Sequence, residues 1–207
     1  MRLRALLVAL CLLLLPAAPA WAATQVAVLA GGCFWCLEHD LEVLPGVLDV
    51  QSGYSGGTTQ RPTYKQVSAG GTGHQEVVRV HFDDTRLPYD TLLRAYWRNV
   101  DPLDGGGQFC DRGSSYRPVI FTTTEGQAAA ARRSRAAAAR ELGVPVERLE
   151  VRIQPLDRFW PAETYHQDYA QRNPVRYKVY RWNCGRDARL DAVWGKTARS
   201  SRPWREP

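Results

Sequence analysis

The stretch LAGGCFWCLEHDLEVL, residues 29–44, puts Cys33 and Cys36 three residues apart behind Gly31 and Gly32. A short apolar run, QVAVLA at 25–30, reads as a strand before them, and Leu37, Leu41 and Leu44 follow at helical spacing up to Pro45-Gly46. A thiol there stands at a helix N-terminus, where free N–H groups and the helix dipole favour thiolate. A structural disulfide, a zinc clip, a haem tether, a thiol–disulfide exchange pair and a single attacking thiol all use such spacing. A c-type haem needs His directly after the second cysteine, and Leu37 stands there. A secreted metal-binding protein could draw on Cys33, Cys36, His39 and His74, but no second C-x-x-C or paired His completes a tetrahedral set, so no metal is expected. Exchange through Cys33 and Cys36 fits the strand–turn–helix recipe and stays as the alternative, an exported thiol–disulfide oxidoreductase. Phe34 and Trp35 favour a single nucleophile. Two bulky aromatics beside a thiol are either core, their commonest fate, or the walls of a small apolar pocket suited to a substrate with a small apolar end.

A second group stands out further on. In EVVRVHF, Glu76 shares strand parity with Val78, Val80 and Phe82, the more apolar face. A carboxyl on a buried face has a raised pKa and can stay protonated to donate a proton. The competing reading is a strand-end Glu turned to solvent. The remaining thiols are Cys110 in a Gly-rich loop and Cys184 near the C-terminus.

These groups need a scaffold of ordinary size. The chain has 207 residues, enough for one domain with a real core. Residues 1–22 carry Arg2 and Arg4, an apolar run from Ala5 to Leu15, and small residues at Ala20 and Ala22, a secretory signal with cleavage expected near Ala22. The run is short for a membrane span, and Leu10 before Cys11 does not suit a lipoprotein. The mature protein is therefore expected in the periplasm, without stable membrane insertion. Removing residues 1–22 lowers the formal charge from +6 to +4, because two arginines and no acids are lost. The arginines are scattered, which fits solubility and argues against a nucleic-acid partner. Export places four cysteines in an oxidising compartment, where an even count usually means bridges. A domain of this size does not need staples, so redox chemistry competes with that reading.

The elements that would position these residues follow the chain. Strands are expected at 25–30, 47–55, 75–82, 117–121 and 151–153, and helices at 34–44, 64–69, 89–100, 125–142 and 163–172. That order predicts an α+β fold, a mixed and largely antiparallel sheet with packed helices, in two layers around a ferredoxin-like core. Domain boundaries are expected at 1–22 for the signal, 23–195 for the catalytic domain and 196–207 for a loose tail. The segment after Asn173-Pro174 lacks a strong apolar period and reads as mobile.

Taken with their neighbours, these residues make the chain resemble the class A peptide methionine sulfoxide reductases. GCFW resembles that family's nucleophile motif, and the likeness continues in order through PGV at Pro45, GYSGG at Gly53, PTY at Pro62, SAGGTGHQEVVRV at Ser68, DP at Asp101, DRGSSYR at Asp111, YHQDY at Tyr165 and NP at Asn173. The resemblance implies reduction of the S epimer of methionine sulfoxide, in proteins and as the free amino acid. It implies Cys33 as nucleophile, Glu76 as proton donor, Tyr64 and Tyr116 as hydrogen-bond donors to the sulfoxide oxygen, Asp111 as a carboxylate near the nucleophile, and Phe34 and Trp35 as the methyl pocket. The chemistry needs a thiolate, a proton donor and an apolar seat, and it leaves Cys33 as a sulfenic acid that a second thiol condenses with. It also implies no cofactor beyond an external thiol reductant such as thioredoxin, and a monomer is expected. Many relatives carry recycling cysteines in a Gly-rich C-terminal tail, whereas this C-terminal stretch has one cysteine and no such run. Cys184, Cys36 and Cys110 are therefore all candidates for resolving the sulfenic acid. Cys184 ranks first as the thiol on a mobile segment. Cys36 follows, since an i, i+3 pair needs the first helical turn to bend. Cys110 lies near the site through Asp111.

Overall fold

A computed structural model describes residues 24–204, so the expected signal segment lies outside the described residues. Six strands form one sheet: β1 (Thr24–Ala30), β2 (Val47–Ser55), β3 (Gln75–Asp83), β6 (Val119–Thr122), β7 (Arg152–Pro155) and β8 (Phe159–Pro161), in the order β7-β6-β1-β3-β2-β8. All neighbours are antiparallel except β6 and β7. A two-residue hairpin, β4 (Gly107–Gln108) and β5 (Asp111–Arg112), stands apart. The helices are α1 (Phe34–Glu42), α2 (Tyr64–Ala69), α3 (Tyr89–Trp97), α4 (Glu125–Leu142), α5 (Tyr169–Arg172), α6 (Pro174–Asn183) and α7 (Arg186–Trp194).

Strand β3 is central and buried on both faces. Val78, Val80 and Phe82 enter the main core with Leu29, Leu37, Leu41 and Trp97, while Val77 joins a smaller cluster with Val28, Ala30, Val119 and Phe121. Such two-sided burial suits a β-branched run. Helix ends follow local chemistry. Thr63 and Gln66 close a capping box on α2, the Thr124 side chain accepts from Gln127 N–H at the start of α4, and Gly143 in the left-handed region ends α4. Pro174 opens α6, where its missing N–H costs nothing.

The structure changes several expected elements. The segment after Pro174 is helical in α6 and α7 and docks through Tyr177, Arg186, Leu190 and Trp194, all buried. Cys184 caps the C-terminus of α6 and does not ride on a mobile segment. The amphipathic pattern is masked in sequence because arginines serve as inward-facing groups: Arg186 is 1% exposed and donates to the carbonyls of Gly31 and Asn99. The helix expected at 163–172 is a 3-10 turn at Thr164–His166 followed by one turn of α5, broken by Asp168 in the left-handed region. The described part of the expected tail contacts the domain at residues 202–204. Buried Arg98 donates to the carbonyls of Arg202 and Pro203 and pairs with Glu141 at 2.6 Å, and Trp204 lies 5.0 Å from its guanidinium. Strands β4, β5 and β8 are too short to leave a periodic signal. Among the described residues no helix is long and apolar enough to cross a membrane.

Candidate active site

Cys33 is the N-cap of α1, reached from β1 through Gly31 and Gly32. A Cβ at Gly31 would meet Val100 Cγ1 at 2.8 Å, and one at Gly32 would meet Gln108 Cβ at 2.7 Å with the backbone already at φ +85°. Only glycine lets the chain turn this close to the core. The Cys33 carbonyl accepts from the N–H groups of Cys36 and Leu37. The expectation of a depressed thiol pKa at this N-terminus is not met in the resting protein. Cys33 is 6% exposed, and burial pushes its thiol up; contact with Cys36 and the charge of Glu76 add to this, while the Tyr180 hydroxyl opposes it. Cys36 is held below the ordinary thiol range by its hydrogen bond with Cys33 and, against its own burial, by the guanidinium of Arg186. The two shifts run in opposite directions, so Cys33 holds its proton more tightly than Cys36 does.

Glu76, on β3, is buried at 2% exposure. Its Oε2 accepts the Phe34 N–H at 3.1 Å, across 42 residues. Burial raises its pKa to about 8 against that hydrogen bond, so the carboxyl is neutral near pH 7. With Oε2 occupied as an acceptor, Oε1 is the oxygen free to carry the proton. Tyr64 opens α2 and Tyr116 ends a 3-10 turn at Ser114–Tyr116; both feel the charges of Glu76, Asp111 and Cys33. Burial raises Tyr64 to about 12 and Tyr116 further, so both hydroxyls remain donors. Glu163 fixes Tyr64 from behind: its Oε1 accepts the Tyr64 N–H at 2.9 Å and its Oε2 accepts the Tyr54 hydroxyl at 2.8 Å.

Phe34 and Trp35 belong to an aromatic group. Phe34 lies 6.3 Å from Tyr64 and 5.0 Å from His166, and Trp35 stacks on Tyr169 with ring centroids 3.7 Å apart. The Trp35 indole N–H donates to His166 Nδ1 at 3.0 Å. Burial lowers the His166 pKa, so the ring is neutral with Nδ1 as acceptor.

On the other side of Cys33, Phe109 and Cys110 form the tight turn between β4 and β5. Phe109 takes φ +56°, an uncommon backbone for a bulky residue, and its ring lies 4.5 Å from the Arg186 guanidinium. This turn presents Cys110 to the end of α6, where it forms a disulfide with Cys184. Cys33 and Cys36 are free thiols. Asp111 adjoins the disulfide, and its Oδ2 accepts the Tyr180 hydroxyl at 2.6 Å. Burial pushes the Asp111 carboxyl up, opposed by Tyr180 and Arg186.

A thiol at a helix start, a neutral carboxylic acid beside it, two tyrosine donors and an aromatic wall can reduce an oxidised sulfur. The family model for peptide methionine sulfoxide reductase matches residues 25–198. The chain is 53% identical over 180 residues to peptide methionine sulfoxide reductase MsrA 2 of Caulobacter vibrioides, covering 86% of this chain and 90% of that one. It is 47% identical to MsrA 2 of Rhizobium meliloti, with 91% of each chain covered. Methionine sulfoxide reductase A of Corynebacterium diphtheriae superposes with a TM-score of 0.69 at 31% identity, over 75% of this chain and 78% of that structure.

The chain belongs to the peptide methionine sulfoxide reductase family.

It is thus an oxidoreductase that reduces methionine sulfoxide. In this reductase the fold brings Cys33, Phe34, Trp35, Glu76, Tyr64, Tyr116 and Asp111 to one end of α1 and β3. Cys36 lies one turn into α1, packed with Ala170 and Tyr177. His39 pairs with Glu42, and His74 is engaged by Gly57 N–H and the Thr59 carbonyl, so neither shares a cluster with the thiols. Tyr54, Glu163, His166, Tyr180 and Arg186 join the site without having been singled out. The motif YHQDY contained His166, but Tyr180 and Arg186 lie in a stretch whose only sequence cue was Cys184.

Proposed function

We propose that this reductase acts on the S epimer of methionine sulfoxide, in proteins and as the free amino acid, through Cys33 and Glu76. The neutral Glu76 carboxyl held by the Phe34 N–H carries this reading, because the acid on β3 is anchored to the residue that follows the thiol. Cys33 attacks the sulfoxide sulfur while Glu76 protonates the oxygen, with Tyr64 and Tyr116 donating to it. The net step is Cys33–SH plus R2S=O giving Cys33–SOH plus R2S. Phe34 and Trp35 seat the methyl group. Cys184 then attacks the sulfenic sulfur, forming Cys33–Cys184 and releasing water, and Cys110 takes over Cys184 to leave the surface disulfide for a thioredoxin-type protein. The Cys110–Cys184 disulfide, with Cys33 a free thiol, supports that end point.

The N-terminal segment supports export to the periplasm. The antiparallel run β6-β1-β3-β2, with α1 and α3 as its crossovers, supports a ferredoxin-like core. No group beyond the external thiol reductant is needed for these steps. Reduction of a chiral methyl sulfoxide with dithiothreitol, resolved by enantiomer, tests the proposal: only the S form should be consumed, and equal loss of both forms would refute the assigned specificity.

A further inference from the structure

The Asp111 carboxyl touches both recycling sulfurs. Its Oδ1 lies 3.8 Å from Cys110 Sγ and its Oδ2 lies 3.8 Å from Cys184 Sγ. The same Oδ2 accepts the Tyr180 hydroxyl at 2.6 Å, and that hydroxyl favours the thiolate form of Cys33. Nucleophile, carboxyl and disulfide are therefore joined through one tyrosine. Glu76 is committed on the opposite side to the Phe34 N–H.

Resting on the recycling order proposed above, the geometry points to Asp111 as the base, and Tyr180 as the proton carrier, of the exchange that frees Cys33. Thiol–disulfide exchange needs a thiolate attacker, and an ordinary cysteine with a pKa of about 8.5 is mostly protonated at neutral pH. The Cys110 thiol gives its proton to the Asp111 carboxylate. The resulting thiolate attacks the Cys184 sulfur of the Cys33–Cys184 disulfide, so that the Cys110–Cys184 bond forms and the Cys33–Cys184 bond breaks. The electron pair leaves on Cys33. That thiolate takes the Tyr180 hydroxyl proton, and Tyr180 recovers one from Asp111. One thiol and one disulfide become another thiol and another disulfide, with no outside oxidant or reductant. Burial of Cys33 makes it a good final holder of the proton.

The charged and titratable groups facing Asp111 come from four elements: Arg186 on α7, Glu76 on β3, Tyr64 on α2 and Tyr116 in the turn at 114–116, besides Tyr180 itself. The tyrosines, pushed up by burial, stay neutral below pH 9. Glu76 loses its proton near pH 8, so the informative range lies below that value.

The experiment adds one equivalent of methyl sulfoxide to fully reduced enzyme, quenches with acid at intervals, alkylates, and maps the disulfides between pH 6 and 7.5. Conversion of Cys33–Cys184 to Cys110–Cys184 is read separately from sulfoxide reduction. The native protein should convert with little pH dependence. Asp111→Asn should convert at least about 10-fold more slowly at pH 6.5, and its rate should climb about 10-fold per pH unit, because hydroxide must now generate the thiolate. Tyr180→Phe keeps the ring against Trp35 and should slow the same step. Conversion by Asp111→Asn at the native rate and pH profile overturns the base, as does an equal slowing at every pH, which a merely structural carboxyl would give. Native conversion in Tyr180→Phe overturns the carrier. If no Cys33–Cys184 linkage forms at any time in the native protein, the recycling order itself is wrong, and this inference falls with it.

Discussion

The N–H of Phe34 donates to Oε2 of Glu76 at 3.1 Å. The residue that follows the nucleophile thus holds the acid, and the two groups keep their separation whatever the rest of the site does. A backbone hydrogen bond to a buried carboxyl would by itself favour the charged form, yet desolvation wins and the group stays neutral.

Replacing Cys33 by Ser should abolish sulfoxide reduction with the fold retained, because the side chains are near-isosteric and the Cys33 carbonyl still caps α1. Circular dichroism together with a methionine release assay checks this. Turnover by the folded variant would remove Cys33 from its role.

Glu76→Gln should lower the single-turnover reduction rate by about 100-fold or more, the usual scale for loss of a general acid. In the native enzyme the same rate should fall as pH rises through about 8, where Glu76 gives up its proton. Rapid-quench measurements across pH 6–9 decide this. A native rate in the variant would mean that another group delivers the proton.

Glu76 should also shape stability. Its pKa in the unfolded chain is about 4.3, and in the fold it is about 8. The folded value is raised, so stability is full below the unfolded pKa and is lost as pH climbs toward 8. Glu38, buried and raised to about 7, acts in the same direction. Glu76→Gln is therefore expected to melt roughly 3 °C or more above the native protein at pH 7.5 and close to it at pH 4. Calorimetry at the two pH values tests the sign, and a difference that does not vary with pH would show Glu76 to be ionised in the fold.

With Cys110 and Cys184 joined and Cys33 and Cys36 still free, the site is ready for a second sulfoxide. Fully reduced enzyme without added reductant should release about two methionines per chain, since four thiols hold two pairs of reducing equivalents, one pair for each sulfoxide. Amino acid analysis gives the count, and a burst of one would mean that Cys33 is not released.

Cys184→Ser should keep the single-turnover step and slow recycling by a thioredoxin-type protein, with a small dithiol rescuing turnover. Cys110→Ser should accumulate the Cys33–Cys184 linkage. Peptide mapping after one equivalent of sulfoxide distinguishes the two. A Cys33–Cys36 or Cys33–Cys110 bond formed first would transfer the resolving role away from Cys184.

The sequence alone determined what depends on near neighbours. The turn at Gly31-Gly32, the start of α1 at Phe34 and the inward parity of Glu76 with Val78 and Val80 follow from backbone sterics and periodicities of a few residues, and the ordered motifs from GCFW to YHQDY disclosed the family. The tertiary structure decided what depends on partners far along the chain. Cys33 was expected to be acidified by its helix, but its burial against residues from other elements outweighs a local dipole. Cys110 meets Cys184 across 74 residues, and Tyr180 meets Asp111 across 69. Those contacts exist because α6 and α7 dock through the buried Arg186, whose inward-facing charge hides the amphipathic pattern from any reading of apolar spacing. A local pattern records which face of an element is buried. It does not record which distant group will be buried against it, and the balance of desolvation and hydrogen bonding that sets each pKa in this site depends on that group.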